Sequence, residues 1–320
     1  MPAPLLDTDH PLVLDARGHA LDCRPVALRS TGAHVMGILN VTPDSFSDGG
    51  RFLGRDAALR HAEQMIEEGA RLIDIGGESS RPKGKTYGAG ATPVEADEER
   101  RRVLPVIEAL AAQFPETLLS IDTYKPEVAA AALDAGAHVV NDITGGRFSS
   151  DMPKVAARYG APYIVMHSLG TPGAMPHETL TLAGGLDDPV ASVRASLASS
   201  VAQAEAAGVR DVVVDPGFGF GKTTAANLAL IGYTEAFVAL GRPVLVGVSR
   251  KSSIGAALGT AEAPAPVEAR LFGSLGATAV AVLQGAALVR THDVQATAEM
   301  LRVLAAIDAV ADRPTGEGAA

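Results

Sequence analysis

The sequence predicts an α/β protein, a (β/α)8 TIM barrel with a short N-terminal extension. Eight apolar runs recur along the chain, and Ala-rich segments with helical spacing lie between most of them. Continuous apolar strands that alternate with helices are typical of a parallel sheet covered on both faces. Because no Pro-, Gly- or Ser-rich linker divides the eight units, a closed barrel is favoured over an open doubly wound sheet.

The predicted strands are short and almost entirely apolar. They span residues 35–41, 72–75, 118–121, 138–140, 163–166, 212–214, 244–248 and 286–289. The predicted helices include residues 56–68, 95–113, 126–135, 187–207 and 224–230. Glycine ends several helical segments, at Gly69, Gly136, Gly160 and Gly208, as expected where a helix stops before the next strand.

The length bounds the domain organisation. A chain of 320 residues suits two small domains or one barrel, since such barrels commonly run to about 250 residues or more. We expect residues 31–311 to form the barrel and residues 1–30 to form an extension, with a hairpin under the barrel floor. Residues 312–320 have few apolar groups and predict a flexible tail.

Composition and charge exclude several classes of protein. The net charge of −10 argues against a nucleic-acid partner, which would need a basic face, but a few local cations can still hold an anionic small molecule. The single cysteine, Cys23, and the lack of a visible signal peptide predict a cytoplasmic protein. No apolar stretch reaches the roughly 18 residues that span a bilayer, so no membrane partner is expected.

Polar residues follow every predicted strand. In chain order these strand ends are Asn40, the segment 76–82, Asp122, Asn141 with Asp142, Met166 with His167, the segment 215–222, the segment 249–251 and the segment 290–293. In a (β/α)8 barrel the carboxyl ends of the strands converge on one face, where active sites lie. The sequence therefore predicts one polar site at the barrel mouth.

Four of these residues predict a site for a flat heterocycle. Asp122, Asn141, Asp215 and Lys251 would lie close together at the barrel mouth, where unpaired polar groups are costly. A carboxylate such as Asp215 can accept two parallel N–H bonds from a guanidine-like edge. Phe220 either stacks on the ring or simply fills the mouth, and both interpretations stay open.

The last strand end has a different chemistry. Arg290 and His292, with Asn40 on the neighbouring strand, form a cluster of cations and an amide. Barrels often hold phosphate near their last two strands, and the planar guanidinium of Arg suits phosphate. Asn40 supplies an amide oxygen of the kind that Mg²⁺ accepts when it is shared with substrate phosphates. The histidines show no zinc-type spacing.

Together these segments resemble the dihydropteroate synthases, the folate-pathway enzymes that sulfonamides target. The resemblance runs from about residue 35 to residue 309 and rests on several ordered motifs, among them residues 40–50, 76–82, 215–222 and 290–293. It implies a (β/α)8 barrel, a homodimer and a transferase. The implied reaction condenses 6-hydroxymethyl-7,8-dihydropterin diphosphate with 4-aminobenzoate, giving 7,8-dihydropteroate and pyrophosphate.

The resemblance also implies residue roles. The pterin-binding positions are Asp122, Asn141, Met166, Asp215, Phe220, Gly247 and Lys251. The diphosphate positions are Asn40, Arg290 and His292, with Asn40 also the Mg²⁺ position. The aminobenzoate positions are Ser80, Arg81, Pro82 and Ser252. The positions that act in catalysis are Asn40, Phe46, Asp48, Lys251, Arg290 and His292, of which Phe46 and Asp48 belong to the loop after the first strand.

The chain departs from the family pattern around the aminobenzoate positions. Ser80 stands where the family commonly has Thr, Lys83 stands where it has Gly, and residues 83–90 resemble an insertion. We hypothesise that Lys83 and Lys85 add positive potential near the benzoate. Two other functions fit parts of the pattern, a methyltetrahydrofolate corrinoid methyltransferase and a non-catalytic pterin-binding paralogue. The segments 249–251 and 290–293 favour the synthase, because the methyltransferase holds no diphosphate.

Overall fold

The computed structural model describes residues 12–24, 32–42, 50–79, 93–169 and 188–311. Predictions made for Phe46, Asp48 and residues 80–90 fall outside these ranges, as do those for the tail 312–320. Among the described residues, no helix has both the length and the apolar character needed to cross a bilayer.

Eight parallel strands form the barrel predicted from the sequence. In chain order they are β3 (His34–Asn40), β4 (Leu72–Gly76), β5 (Leu118–Asp122), β6 (Val139–Asp142), β7 (Tyr163–Met166), β8 (Val212–Asp215), β9 (Leu245–Val246) and β10 (Leu288–Thr291). Strands β3 to β8 lie side by side in chain order, and β3 also pairs with β10, which pairs with β9. A parallel bridge between Val214 and Val244 closes the ring.

Helices surround the barrel. They are α1 (Gly50–Glu67), α2 (Ala96–Gln113), α3 (Pro126–Asp134), α4 (Met152–Tyr159), α5 (Pro189–Ala206), α6 (Thr224–Gly232), α7 (Glu235–Val238), α8 (Ser252–Leu258), α9 (Leu271–Leu283) and α10 (Val294–Ala311), with a 3-10 turn at Val267–Arg270. Local sequence sets many of their ends. Asp188 caps α5 by accepting hydrogen bonds from the backbone N–H groups of Val190 and Ala191. Gly160 ends α4 in the left-handed conformation, with a φ of 62°.

An N-terminal hairpin lies against the barrel floor. Its strands, β1 (Val13–Ala16) and β2 (His19–Asp22), pair antiparallel. Leu14 and Leu21 are buried in one apolar cluster with the residues near the start of each barrel strand, such as Leu72 and Val213. The hairpin thereby closes the end of the barrel opposite the carboxyl ends of its strands.

The barrel interior is layered, because side chains alternate across each strand. The layer that packs with the hairpin is entirely apolar and consists of Met36, Leu72, Leu118, Val139, Ile164, Val213, Leu245 and Leu288. The residue that follows most of these on its strand, such as Ile73, Val140 or Val214, points outward and belongs to the separate core between the barrel and the helices. The next inward position on each strand therefore lies two residues further along the chain.

Candidate active site

The second inward layer of the barrel is largely polar, in contrast to the apolar layer beneath it. Its members are Ile38, Asp74, Ser120, Asn141, Met166, Asp215, Gly247 and Arg290. Asn40 and Asp122 lie one step further up their strands. Several residues predicted from the strand ends are thus brought to one level of the barrel by strand geometry alone.

Arg290 joins two carboxylates from neighbouring strands. Its Nε donates to Oδ2 of Asp74 at 2.6 Å, and its Nη2 donates to Oδ2 of Asp122 at 2.7 Å. Oδ2 of Asp74 also accepts from Nδ2 of Asn141 at 2.9 Å. Because the Nδ2 of Asn141 donates to Asp74, the Oδ1 of Asn141 remains as an acceptor. The guanidinium of Arg290 therefore binds Asp74 and Asp122 directly, and Asp74 connects it to Asn141.

Burial and neighbouring charges shift the pKa values of the residues in this cluster. Burial and the nearby charge of Asp74 raise the pKa of Asp122 to about 7, against the opposing effect of Arg290. Burial lowers the pKa of Arg290, but Asp74 and Asp122 together raise it more, so its pKa lies above the usual value. Asp74 is fully buried, and its Oδ1 has no partner within the described part of the chain. The cluster is therefore a largely buried polar site.

Asp215 and Lys251 form the opposite side of the pocket. The carboxylate of Asp215 accepts the backbone N–H of Gly217 at 2.7 Å, and burial raises its pKa. Lys251 donates from Nζ to the carbonyl of Phe218 and lies 4.5 Å from the ring centroid of Phe220. Burial lowers the pKa of Lys251 to about 8, although the charge of Asp215 opposes this.

A glycine-rich turn after β8 shapes that side of the pocket. A Cβ on Gly217 would lie 1.9 Å from the carbonyl oxygen of His167, and one on Gly219 would lie 2.8 Å from Cδ of Lys251. Both glycines also have positive φ, so side chains are excluded on two grounds. The turn is held by Nζ of Lys222, which donates to the carbonyls of His167, Gly217 and Phe220 at 2.8–3.2 Å. Burial lowers the pKa of Lys222 to about 7.

His292 lies at the rim beyond β10. Its Nδ1 is within hydrogen-bonding distance of Oγ of Ser249, at 3.1 Å, and its backbone N–H donates to the same oxygen at 3.2 Å. Asn40 ends β3 opposite Gly76, and a Cβ on Gly76 would lie 3.9 Å from Oδ1 of Asn40. Because Gly76 has no side chain, the amide of Asn40 keeps open space beside Asp122.

The remaining predicted residues have separate positions. Met166 and Phe220 are buried in one small cluster with Tyr124 and Ile143, so Phe220 contributes packing as well as a ring face. Gly247 lies beside Arg290, since a Cβ placed on the glycine would be 3.6 Å from Cβ of Arg290. Ser252 begins α8, directly after Lys251. Ser80, Arg81 and Pro82 lie outside the described residues, as do Phe46 and Asp48.

Sequence reasoning missed Asp74, the residue that binds both Arg290 and Asn141. A signal was present, because Asp74 interrupts the otherwise apolar strand 72–75 at an inward position. It also missed Lys222, whose place after the glycines does not reveal that its ammonium turns back on their carbonyls.

Comparisons with known proteins agree with this geometry. A family model described as pterin binding enzyme matches residues 36–292. The dihydropteroate synthase of Escherichia coli K12 is 43% identical over 275 residues, which are 85% of this chain and 91% of that protein. A Xanthomonas albilineans dihydropteroate synthase structure with 4-aminobenzoic acid superposes with a TM-score of 0.79 at 43% identity, covering 95% of this chain and all of that one. Another from that organism, in complex with 7,8-dihydropteroate, has a TM-score of 0.75 at 40% identity and covers 94% of this chain and 100% of the other.

Proposed function

The chain belongs to the dihydropteroate synthases of the pterin-binding enzyme family, and we propose how its own residues divide the work of that reaction. The supporting observation is the polar layer inside the barrel. On one side Arg290 binds Asp74 and Asp122, and Asp74 accepts from Asn141. Asp215 and Lys251 lie on the other side. Buried polar groups of this kind are costly unless a ligand or a neighbour satisfies them.

The pterin ring fits between the two sides of this layer. Asp215 is the acceptor for the aminopyrimidine N–H groups, as a carboxylate accepts two parallel bonds. Lys251 donates to the ring carbonyl, and Asn141 and Asp122 bind the remaining edge. Met166, Phe220 and Gly247 line the flat faces. This assignment is supported by the burial of Asp215 and Asn141 and by the contact of Lys251 with Phe220.

The diphosphate belongs at the rim above the pterin. We assign it to Asn40, Arg290 and His292. Because the Nε and Nη2 of Arg290 are bonded to Asp74 and Asp122, its Nη1 is the donor that we assign to the diphosphate, and the guanidinium stays charged. Within the described residues, no cluster of three or more His, Cys, Asp or Glu side chains could hold a metal by itself. Asn40 with the substrate's own phosphate oxygens fits Mg²⁺, which when bound would neutralise charge on the leaving group.

The reaction needs no protein nucleophile. The bond between the pterin methylene carbon and the diphosphate oxygen breaks, the electron pair leaves with pyrophosphate, and the amine nitrogen of 4-aminobenzoate forms the new carbon–nitrogen bond and releases its proton. Arg290 and His292 stabilise the negative charge that develops on the leaving oxygens. The pterin pocket holds the methylene carbon in place for the amine. We propose that the aminobenzoate is bound by the residues that the family resemblance implies, with Phe46 and Asp48 completing the site. These residues are Ser80, Arg81, Pro82 and Ser252.

We also propose that the protein is a cytoplasmic homodimer. Large apolar side chains are exposed on the adjacent helices α9 and α10, among them Phe272, which is 82% exposed, and Ile307 and Val310. Because exposed apolar surface can mark interaction sites, we place the dimer contact on these two helices. Sedimentation of the wild-type protein and of Phe272→Asp tests this, since the charged variant should sediment as a monomer.

The function is tested by measuring pyrophosphate release from the purified protein. With pterin diphosphate, Mg²⁺ and 4-aminobenzoate present, release should depend on all three. Asp215→Asn should lower pterin affinity and turnover together, since the amide has only one acceptor oxygen and places an N–H₂ against the donors of the ring. Asp151→Asn, a change to an exposed carboxylate, is the control. Pterin binding without pyrophosphate release would instead indicate a non-catalytic pterin-binding protein.

A further inference from the structure

Arg250 has an unusual backbone. Its φ is 58°, in the left-handed region that few non-glycine residues adopt. It lies in the turn between β9 and α8, with Ser249 before it and Lys251 after it. These two neighbours face the site from opposite sides of the turn, Ser249 toward His292 and Lys251 toward Phe220. The conformation of Arg250 therefore sets the direction of two site residues.

The peptide groups of Arg250 are held on both sides. Its N–H donates to Oγ of Ser274 at 3.0 Å, and its carbonyl accepts from Nη1 of Arg270 at 2.9 Å. Oγ of Ser274 in turn donates to the carbonyl of Arg270 at 2.8 Å. The side chain of Arg250 is fixed as well, since its Nε donates to Oδ2 of Asp293 at 3.0 Å. Strained conformations persist where the surroundings determine them in this way.

Arg270 is the unusual member of this arrangement. It is only 2% exposed, and within the described ranges no carboxylate pairs with it. Its hydrogen bonds go instead to backbone carbonyls, to Ala265 from Nε at 2.8 Å and to Arg250 from Nη1. A buried arginine without an acid is costly, and packing alone would be served by an apolar side chain. The hydrogen bond to the carbonyl of Arg250 indicates that the charge of Arg270 serves to hold this turn.

Gly255 keeps the space in which the Arg270 guanidinium lies. A Cβ on Gly255 would be 2.6 Å from Nε, 2.8 Å from Cζ and 2.9 Å from Nη2 of Arg270. Gly255 is inside α8 and has no positive φ, so its own backbone does not require glycine. The absence of a side chain at this position is therefore explained by Arg270.

We propose that Arg270 is a positioning residue for the pterin site. It holds the carbonyl of Arg250 and stabilises the left-handed turn, and so directs Lys251 to the substrate and Ser249 to His292, with Ser274 and Gly255 supporting it. The inference rests on the proposed role of Lys251 in binding the pterin. Without the bond, Arg250 relaxes toward an ordinary conformation and Lys251 leaves the pocket.

A pair of Gly→Ala variants tests this while preserving the fold. The three atoms nearest a Cβ on Gly255 all belong to the guanidinium of Arg270, whereas a Cβ on Gly276 of α9 meets nothing within 4 Å. Alanine favours the helix more than glycine at both positions. Because the left-handed conformation is intrinsically unfavourable for a residue with a side chain, the Kd for pterin diphosphate should rise about 5- to 30-fold in Gly255→Ala. Gly276→Ala should match the wild type. Equal Kd values in the two variants would overturn the proposal.

A double-mutant cycle separates positioning from general stability. Arg270→Met should raise the Kd for pterin diphosphate in the wild-type background but much less in an Arg250→Gly background, since glycine adopts positive φ without help. Additive effects would mean that Arg270 acts by another route and would contradict the proposal. Wild-type protein is measured alongside. If it neither binds pterin diphosphate nor releases pyrophosphate, the proposed function itself fails, which is a different outcome from a functional wild type with additive variants.

Discussion

At the scale of single residues, Asp74 has the clearest expected effect. It is fully buried, and one of its oxygens accepts from both Asn141 and Arg290. Asp74→Asn replaces that charged acceptor with an amide, so the Asn141 amide is no longer held in one orientation. Hydrogen bonds to charged groups are worth about 1.5–3 kcal/mol, and we expect the pterin affinity to fall by an amount in that range. Calorimetric titration with pterin diphosphate measures it.

We expect Lys251 to govern the pH dependence of pterin binding at alkaline pH, whereas Asp122, with a pKa raised to about 7, titrates at lower pH. Burial lowers the pKa of Lys251 to about 8 in the free protein, so the ammonium is charged below pH 8 and increasingly neutral above it. Only the charged form makes a charge-assisted bond to the ring. We therefore expect the affinity for the pterin to decrease as pH rises through about 8.

Lys251→Arg is the matched test of this pH dependence. The affinity of this variant for the pterin should be lower at neutral pH, because the geometry of arginine differs from that of lysine. Since arginine stays charged at every pH used, the decrease in affinity above pH 8 should disappear. An unchanged pH profile in this variant would assign the titration to another group.

At the scale of elements, an ion-pair cluster joins three of them at the edge of the site. Nζ of Lys125, at the start of α3, binds the carboxylates of Glu78, which follows β4, and Glu99 on α2. Oε1 of Glu78 also accepts the hydroxyl of Tyr124 at 2.8 Å. Burial raises the pKa of Glu99 against the effect of Lys125. The cluster fixes the chain directly before residue 80, where the predicted aminobenzoate positions begin.

Lys125→Met should therefore destabilise the protein strongly. It leaves two buried carboxylates without their cation, and breaking a buried pair by removing one partner costs about 3–5 kcal/mol. Urea unfolding monitored by circular dichroism measures this loss. Lys154→Met is the control, because the Lys154–Asp151 pair is exposed, with 65% and 66% of the two side chains accessible, and exposed pairs contribute about 0–1 kcal/mol. Similar losses in both variants would show that Lys125 has no special role.

The elements themselves could be predicted from sequence better than the contacts between them. Apolar runs locate all eight barrel strands, because each strand is buried on both faces. The predicted helix at 126–135 matches α3, since Pro126 begins it and Gly136 follows it. The bond between Arg290 and Asp74 joins residues 216 positions apart, and neither has a local pattern that names its partner. The alternation of side chains along the strand could have placed Asp74 inside the barrel, but it could not have identified Arg290 as its partner.

At the scale of the whole molecule, the barrel has two functionally different ends. The hairpin and the apolar inward layer close the floor, and the polar layer lies two residues further along each strand. This arrangement follows from the period of two along a strand, so the separation of stability from chemistry could be read from the sequence once the barrel was predicted. Closure itself was predicted, but the pair that closes the ring, Val214 with Val244, could not be, because it depends on the number and tilt of all strands.

The separation of the two ends predicts that a floor mutation changes stability without changing binding. Leu21 on the hairpin is 2% exposed and packs in the floor cluster, and Leu→Ala changes at such sites cost about 2–5 kcal/mol. Leu21→Ala should lower the free energy of unfolding, measured in urea, by that amount while the Kd for pterin diphosphate stays within about threefold of the wild type. Leu228→Ala, at a position that is 39% exposed on α6, should change stability by only about 0.5 kcal/mol. If Leu21→Ala instead weakened pterin binding by more than about threefold, the floor and the mouth of the barrel would be coupled. The two layers would then not be independent.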